Sequence, residues 1–467
     1  MSKYAAALDF GTSKVALAVG EKTATGVKIV SYHDAPSAGI EGGEIVNDFK
    51  VKEIIGSLIE QAEADIQQKI EEVVVGLSGR VLHSTEMPCE ITRPDPKAYI
   101  TEEEVRQITR ARYYNTVFEG DEKVFEAVPQ KYSTEDRFGI DREELIGMVG
   151  SRIEAAFKLF YGRPSILDRR LNVLNSCGLR LSKAILSPIA SARAVLSGPE
   201  MENGVALVDI GKGLTQIAII KDNTVRDVAV IPFGGEAITG DIKSVANITG
   251  QWAEQLKIQY GCCCEEFAED NKKLILKNEN NIVDGEVEVK LLTQVIEARM
   301  SEIFDAVRYV IEQSGYAGKI SSGVVITGGT SNLDRIIQLG KAILGQKVRL
   351  AAPQGSIEGG SVEPAFDTYA STAVGLVIES LYPMLSHSIE FNAPEPVAPA
   401  AAAEEKEGDT GSLFGDEDFD EEGGSDTPEE PSRKERRKEK KKKEKKEKKE
   451  GSSWSFFDSL FSDNDKA

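Results

Sequence analysis

Apolar residues dominate two stretches about two hundred residues apart, and each is interrupted at one place only. Ala6-Ala7-Leu8 runs into Asp9-Phe10-Gly11-Thr12-Ser13-Lys14 and resumes at Val15-Ala16-Leu17; Ala206-Leu207-Val208 runs into Asp209-Ile210-Gly211-Lys212-Gly213-Leu214-Thr215-Gln216 and resumes at Ile217-Ala218. A short apolar run bounded by a glycine turn predicts a buried strand, a tight turn and a second strand. A third run, Gly323-Val324-Val325-Ile326-Thr327, leads through Gly328-Gly329-Thr330-Ser331-Asn332-Leu333 and predicts a buried strand, a Gly-Gly turn and a helix start. Helical spacing governs residues 51 to 70, where Val51, Ile54, Ile55, Leu58, Ile59 and Ala62 share one face, and Val73-Val74-Val75-Gly76-Leu77 follows as a strand. From Ser84 the rhythm changes to short strands containing Pro88, Pro94 and Pro96, a helix opened by Thr101-Glu102-Glu103-Glu104, strand from Val124 to Tyr132 and again towards Tyr161. Helices then return at Ser165 to Cys177 and at Ser187 to Leu196.

Composition alters this picture mainly at the C-terminal end. The chain has 467 residues and a formal charge of -21, which disfavours a general nucleic-acid partner, but the charge is unevenly spread. Glu404 to Glu430 is net -12 and Arg433 to Lys449 is net +9, after the stiff opening Ala393-Pro394-Glu395-Pro396-Val397-Ala398-Pro399. Residues 389 to 450 lack the apolar content to fold alone and read as a disordered linker, acidic and then basic. Beyond it, Trp454, Phe456, Phe457, Leu460 and Phe461 fall on one arc of a helical projection and Ser455, Asp458, Ser459 and Ser462 on the other. An amphipathic helix over 451–467 suits a membrane surface, with each basic residue near an anionic bilayer contributing about 1 kcal/mol. One such anchor holds reversibly, so firm attachment calls for several copies in one assembly. No span is long enough to cross a bilayer, and no signal peptide is visible ahead of the first strand. Cys89, Cys177 and the run Cys262-Cys263-Cys264 lack CxxC spacing, which disfavours metal ligation and a disulfide scaffold.

The two interrupted strands carry the candidate chemistry. Glycine lets backbone amides approach an anion, and an Asp at a strand end suits Mg2+, which takes one or two carboxylates and keeps water. Neither GxxxxGK[ST] nor GxGxxG is present, and both turns lead into strands where those motifs open helices. The backbone at Gly328-Gly329 is free to approach a flat group such as a nucleoside.

Two phosphate hairpins and a distant Gly-Gly turn resemble the actin and heat-shock chaperone ATPase superfamily. More specifically, Val128-Pro129-Gln130, Gly147-Met148-Val149-Gly150, Ser187-Pro188-Ile189-Ala190-Ser191-Ala192 and Pro232-Phe233-Gly234-Gly235-Glu236-Ala237-Ile238-Thr239-Gly240-Asp241-Ile242 resemble the FtsA family of bacterial cell-division proteins, over nearly all of residues 1 to 385. The resemblance implies an α/β, actin-like two-lobed ATPase fold with an inserted small α+β domain, a disordered charged tail and a C-terminal amphipathic helix. The expected divisions are 1–83, 165–200 and 367–388 for the first lobe and 84–164 for the insertion. The second lobe is expected over 201–366, with a subdomain at about 235–310. It further implies ATP and magnesium as ligands. Asp9, Gly11, Thr12, Ser13 and Lys14 correspond to the first phosphate loop and Asp209, Gly211, Lys212 and Gly213 to the second, with Asp9 and Asp209 serving magnesium through water. Gly234 and Gly235 are expected beside the phosphates, Glu254 and Lys257 on the ribose or adenine, and Gly328, Gly329 and Ser331 in the adenosine turn.

Family membership would make the protein a filament former on the inner face of the cytoplasmic membrane at the division septum. There it would anchor FtsZ through the FtsZ C-terminal tail and recruit divisome membrane proteins. Departures from the superfamily pattern bear on turnover: Lys212 and Leu214 replace small or hydroxylated positions, and Ser187 to Leu196 offers no Gln, Glu or Asp to position water. Binding with weak or no hydrolysis is expected. Two other readings use the same frame: a pilus-assembly adaptor that docks a peptide, and a small-metabolite kinase, neither of which needs Trp454 to Phe461.

Overall fold

The computed structural model describes residues 4–387, apart from 25, 119, 278–282, 355–356 and 358–361. The linker 389–450 and the helix 451–467, with Trp454, Phe456, Phe457, Leu460 and Phe461, lie outside the described residues.

Two five-stranded sheets share one topology. In the first, the strands Tyr4–Phe10, Lys14–Lys22 and Val27–Pro36 form an antiparallel meander. Tyr4–Phe10 also pairs in parallel with Glu72–Leu77, which pairs in parallel with Arg180–Leu186. In the second, Val205–Ile210, Thr215–Lys221 and Thr224–Ile231 form the meander. Here Val205–Ile210 pairs in parallel with Val324–Thr327, followed by Val348–Leu350. The near-continuous apolar runs of the sequence follow from burial on both sheet faces: Ala7, Leu8, Leu17, Ala18, Val205, Leu207, Val208 and Ile217 are all fully enclosed.

Between the sheets lie two short helices, Ser187–Val195 and Ser371–Leu381. Both are apolar around most of their circumference, as a helix enclosed on all sides must be. They cross so closely that a β-carbon on Gly375 would overlap the backbone carbonyl of Ala190. No side chain larger than hydrogen fits there.

The periodicity at residues 51 to 70 corresponds to the helix Asp48–Ile66, which buries Val51, Ile55, Leu58 and Ala62. Asn47 opens it by accepting the Lys50 amide, and Gln67 closes it with φ 53°, so it ends short of residue 70. Residues 83 to 162 build a three-stranded antiparallel sheet in the order His83–Thr92, Arg152–Gly162, Lys123–Ser133. Pro88 and Pro129 both sit on its edge strands, where a missing N–H costs no ladder bond. The helix Glu102–Asn115 packs on it from a capping box between Thr101 and Glu104. This sheet rests against the edge strand Thr224–Ile231: Gln130 donates to the Val225 carbonyl at 3.0 Å, Arg226 donates to Gln130, and Lys158 lies 3.4 Å from Asp227.

Candidate functional site

The turns of the two meanders face each other across a cavity of about 520 Å3. Asp9, Gly11, Thr12, Ser13 and Lys14 line one wall, Asp209, Gly211, Lys212, Gly213 and Leu214 the opposite one. Gly328, Gly329, Thr330, Asn332 and Leu333 come from the third apolar run, Glu254, Lys257 and Ile258 from the helix Gly250–Tyr260, and Thr368, Tyr369, Ser371 and Thr372 from the entry to the second crossing helix. The volume falls within the few hundred Å3 usual for small-molecule sites. At the cavity's narrow end the turn tips touch, since a β-carbon on Gly213 would stand 2.6 Å from the Thr12 hydroxyl.

The two strand-end carboxylates are held differently. Burial, assisted by repulsion from Asp209 and opposed by Lys14 and Arg170, pushes Asp9 up to about 6. Burial also raises Asp209, but its Oδ2 accepts the Ser191 hydroxyl at 2.7 Å and the Thr372 hydroxyl at 3.4 Å, which partly offset the shift. Two carboxylates from the two hairpins, Asp209 buried and Asp9 half-buried, suit a divalent cation that shares them with phosphate oxygens and water. Among the described residues no group of three or more His, Cys, Asp or Glu could hold a metal by itself.

The lysines differ as well. Lys14 donates to Asp34 at 2.6 Å and Tyr32 at 2.7 Å and lies 3.7 Å from the centre of the Tyr369 ring. Burial lowers its affinity for the proton despite Asp34. Lys212 lines the cavity with no ion-pair partner among the described residues.

Several expected residues support the site from behind. Gly234 and Gly235 do not line the cavity. The Gly235 amide donates to Gly211 O at 2.9 Å and the Glu236 amide to Lys212 O at 2.8 Å, so this helix start fixes the second turn. Ser331 is buried, donating to Gly328 O at 2.6 Å. Lys257 reaches the cavity wall, but its three protons go to Gly235 O, the Thr239 hydroxyl and Glu254, at 3.0, 2.9 and 2.8 Å. An ammonium has three donors, so Lys257 braces the wall before it can serve a ligand. Glu254 would be raised by burial, yet its bonds with Lys257 and Thr239 hold it below the ordinary carboxylate range.

Three further groups line or brace the cavity without a motif to mark them. Gln216 pairs across the hairpin with Asp209, lines the cavity, and has a buried Oε1 with no hydrogen-bond partner. The expectation of no amide or acid was drawn from the connecting helix, which does present only Ser191 to Asp209; the amide comes from the strand instead. Its position seven residues after Asp209 in a two-strand hairpin was the available signal. Arg170, fully buried, donates to Gly43 O at 2.8 Å and Ser78 O at 3.1 Å and fixes two loops on the cavity wall. Burial lowers it to about 10, with Asp9 and Glu44 opposing the shift. Tyr369 covers Lys14, and nothing local in its sequence marks it.

The profile of the family "FtsA: Cell division protein FtsA" matches residues 206–375. The chain is 30% identical over 404 residues to the cell division protein FtsA of Pseudomonas aeruginosa, covering 85% of this chain and 95% of that one. To the FtsA of Neisseria meningitidis serogroup B it is 30% identical over 416 residues, covering 88% and 96%. In structure it is similar to a chain of the "PilM-PilN type IV pilus biogenesis complex", with TM-score 0.57, 16% identity, and coverage of 81% and 99%. That likeness is one of fold: mixed α/β and actin-like, with two mixed five-stranded sheets. Identity sustained across almost the whole length of the two relatives goes further, and the chain belongs to the FtsA family of cell division proteins.

Proposed function

We propose that this protein binds Mg2+-ATP between the two hairpins and uses the bound state to assemble on the inner face of the cytoplasmic membrane at the septum. There it holds FtsZ filaments by their C-terminal tails and recruits divisome membrane proteins. The observation that carries the nucleotide reading is the cavity closed by Asp9 and Asp209 from opposite sheets, with glycine turns at both tips. Lys212 would neutralise phosphate as a point charge, and the Gly328-Gly329 turn, with Ile258 and Leu333 beside it, would take the nucleoside. A cation would rest on Asp9 and Asp209 and spread the charge of the phosphates. Gln216 can orient water, but an amide does not accept a proton, so turnover is slow.

Membrane attachment is supported by the apolar arc Trp454, Phe456, Phe457, Leu460 and Phe461 behind a basic run. The arc has the chemistry of an interfacial anchor; among the described residues no helix is long and apolar enough to cross a membrane. The test is flotation of the full chain with liposomes containing anionic lipid, with and without Mg2+-ATP. Phe457→Glu is expected to leave the protein at the bottom of the gradient, while Asp209→Ala removes the nucleotide dependence. Unchanged flotation of Phe457→Glu removes the anchor, and equilibrium dialysis showing no Mg2+-ATP bound removes the nucleotide reading.

A further inference from the structure

The second crossing helix begins at the cavity, where Ser371 and Thr372 line the wall, and ends at the turn from which the chain runs on into residues 388–467; the first helix meets it along that length. At the cavity end, Asp209 Oδ2 is the shared acceptor for Ser191 on the first helix and Thr372 on the second, and these two hydroxyls lie 2.9 Å apart. In the middle, Gly375 rests on the backbone of Ala190 with no side chain between them. A contact without a compressible layer makes the helices move as a pair. At the far end, Glu379 is 1% exposed and faces Arg193 of the first helix at 3.3 Å. Its Oε1 accepts the backbone amides of Met384, Leu385 and Ser386 at 2.8, 2.7 and 2.7 Å. Glu126, buried in the three-stranded sheet, accepts the Ser386 hydroxyl at 2.7 Å and the His387 amide at 2.8 Å.

Thr372 and Glu379 are seven residues apart on one helix, two turns, or about 10 Å. We propose that this helix pair transmits ligand occupancy at Asp209 to the turn Met384–His387, so that Mg2+-ATP in the cavity tightens the point from which the C-terminal segment departs. The inference rests on the nucleotide reading above. A cation shared by Asp9 and Asp209 removes the repulsion between them and draws the two sheets together. Each sheet packs mainly on one of the crossing helices, so drawing the sheets together loads the Asp209 hydroxyl pair, and the rigid Gly375 crossing passes that shift on to the Arg193–Glu379 contact. Linkage requires the reverse effect too: weakening the far end weakens nucleotide binding.

The experiment uses the full chain. Nucleotide binding is measured first by equilibrium dialysis with Mg2+-ATP, and hydrogen exchange is then followed by mass spectrometry in peptides covering Met384–His387. With nucleotide bound, exchange there is expected to slow by about fivefold or more, and Glu379→Gln to raise the nucleotide Kd by about fivefold. Ser386→Ala, which removes one bond to Glu126 and leaves the Glu379 cap in place, serves as a milder variant if Glu379→Gln does not fold, with a rise of about twofold. Bound nucleotide with unchanged or faster exchange overturns the coupling while sparing the nucleotide reading. So does an unmoved Kd in the folded variant. Absence of bound nucleotide overturns both.

Discussion

The hairpins at Asp9 and Asp209 are built to one plan and equipped in opposite ways. In the first, the lysine is committed to Asp34, Tyr32 and the Tyr369 ring, while among the described residues no hydroxyl steadies Asp9, which is pushed up to about 6. In the second, the carboxylate is steadied by Ser191 and Thr372, and the lysine has no ion-pair partner within contact distance among the described residues. The fixed partner of each hairpin is the free partner of the other. A repeated strand-turn-strand motif therefore does not imply a repeated role: the side chains that meet the motif from elsewhere in the fold assign it.

The largest expected effect comes from breaking the element that holds both hairpins in place. Gly375→Ala would force a methyl into the Ala190 carbonyl and is expected to cost about 3 kcal/mol or more, read as a lowered Tm or loss of soluble protein. Next is Asp9. Its proton is held more tightly in the folded chain than at the ordinary 3.8, so the associated stability is full below that pH and is lost as pH rises through about 6. The loss is at most about 3 kcal/mol. Urea unfolding of Asp9→Asn at pH 5 and pH 8 should show a flatter pH dependence than wild type; an unchanged slope would place the burden on another group.

The lysines give the sharpest contrast. Lys212→Ala is expected to weaken Mg2+-ATP by about 2 kcal/mol, and Lys14→Ala by less than about 1, because Lys14 already spends its charge on Asp34. Calorimetric titration of both variants decides it, and an equal or larger loss at Lys14 would mean that the two lysines do not divide the labour. Smaller than the Lys212 effect is Gln216→Ala, expected to slow single-turnover hydrolysis about tenfold, or about 1.4 kcal/mol, and leave nucleotide affinity within about twofold. A change in affinity alone would make Gln216 a binding group.

Much of the frame was legible because burial on both faces writes itself as continuous apolar runs, and glycine turns punctuate them. The helices Ser165–Ser176 and Ser187–Val195 fall within a residue of expectation for the same reason. The chemistry at the turns was legible only in kind. Gly234, Gly235 and Ser331 carry motif identities but are not among the residues lining the cavity; Gly235 and Ser331 bond the turns that line it. Lys257 and Glu254 line the cavity, with the lysine's donors already spent. Gln216 and Arg170 were overlooked because neither lies in a phosphate-loop signature; one is a strand residue and the other belongs to a helix between the two hairpins.

The sequence by itself determined the two strand-turn-strand units, the helices between them, the change of character from residue 84, and the family, because local periodicity and turn chemistry are properties of neighbouring residues. Only the tertiary structure decided which lysine is free, which carboxylate is steadied, and that Gly375 meets Ala190. Those facts depend on side chains tens to hundreds of residues apart, as with Thr372 on Asp209 or Tyr369 over Lys14. Packing sets hydrogen-bond partners and the cost of buried charge, and no local pattern records them.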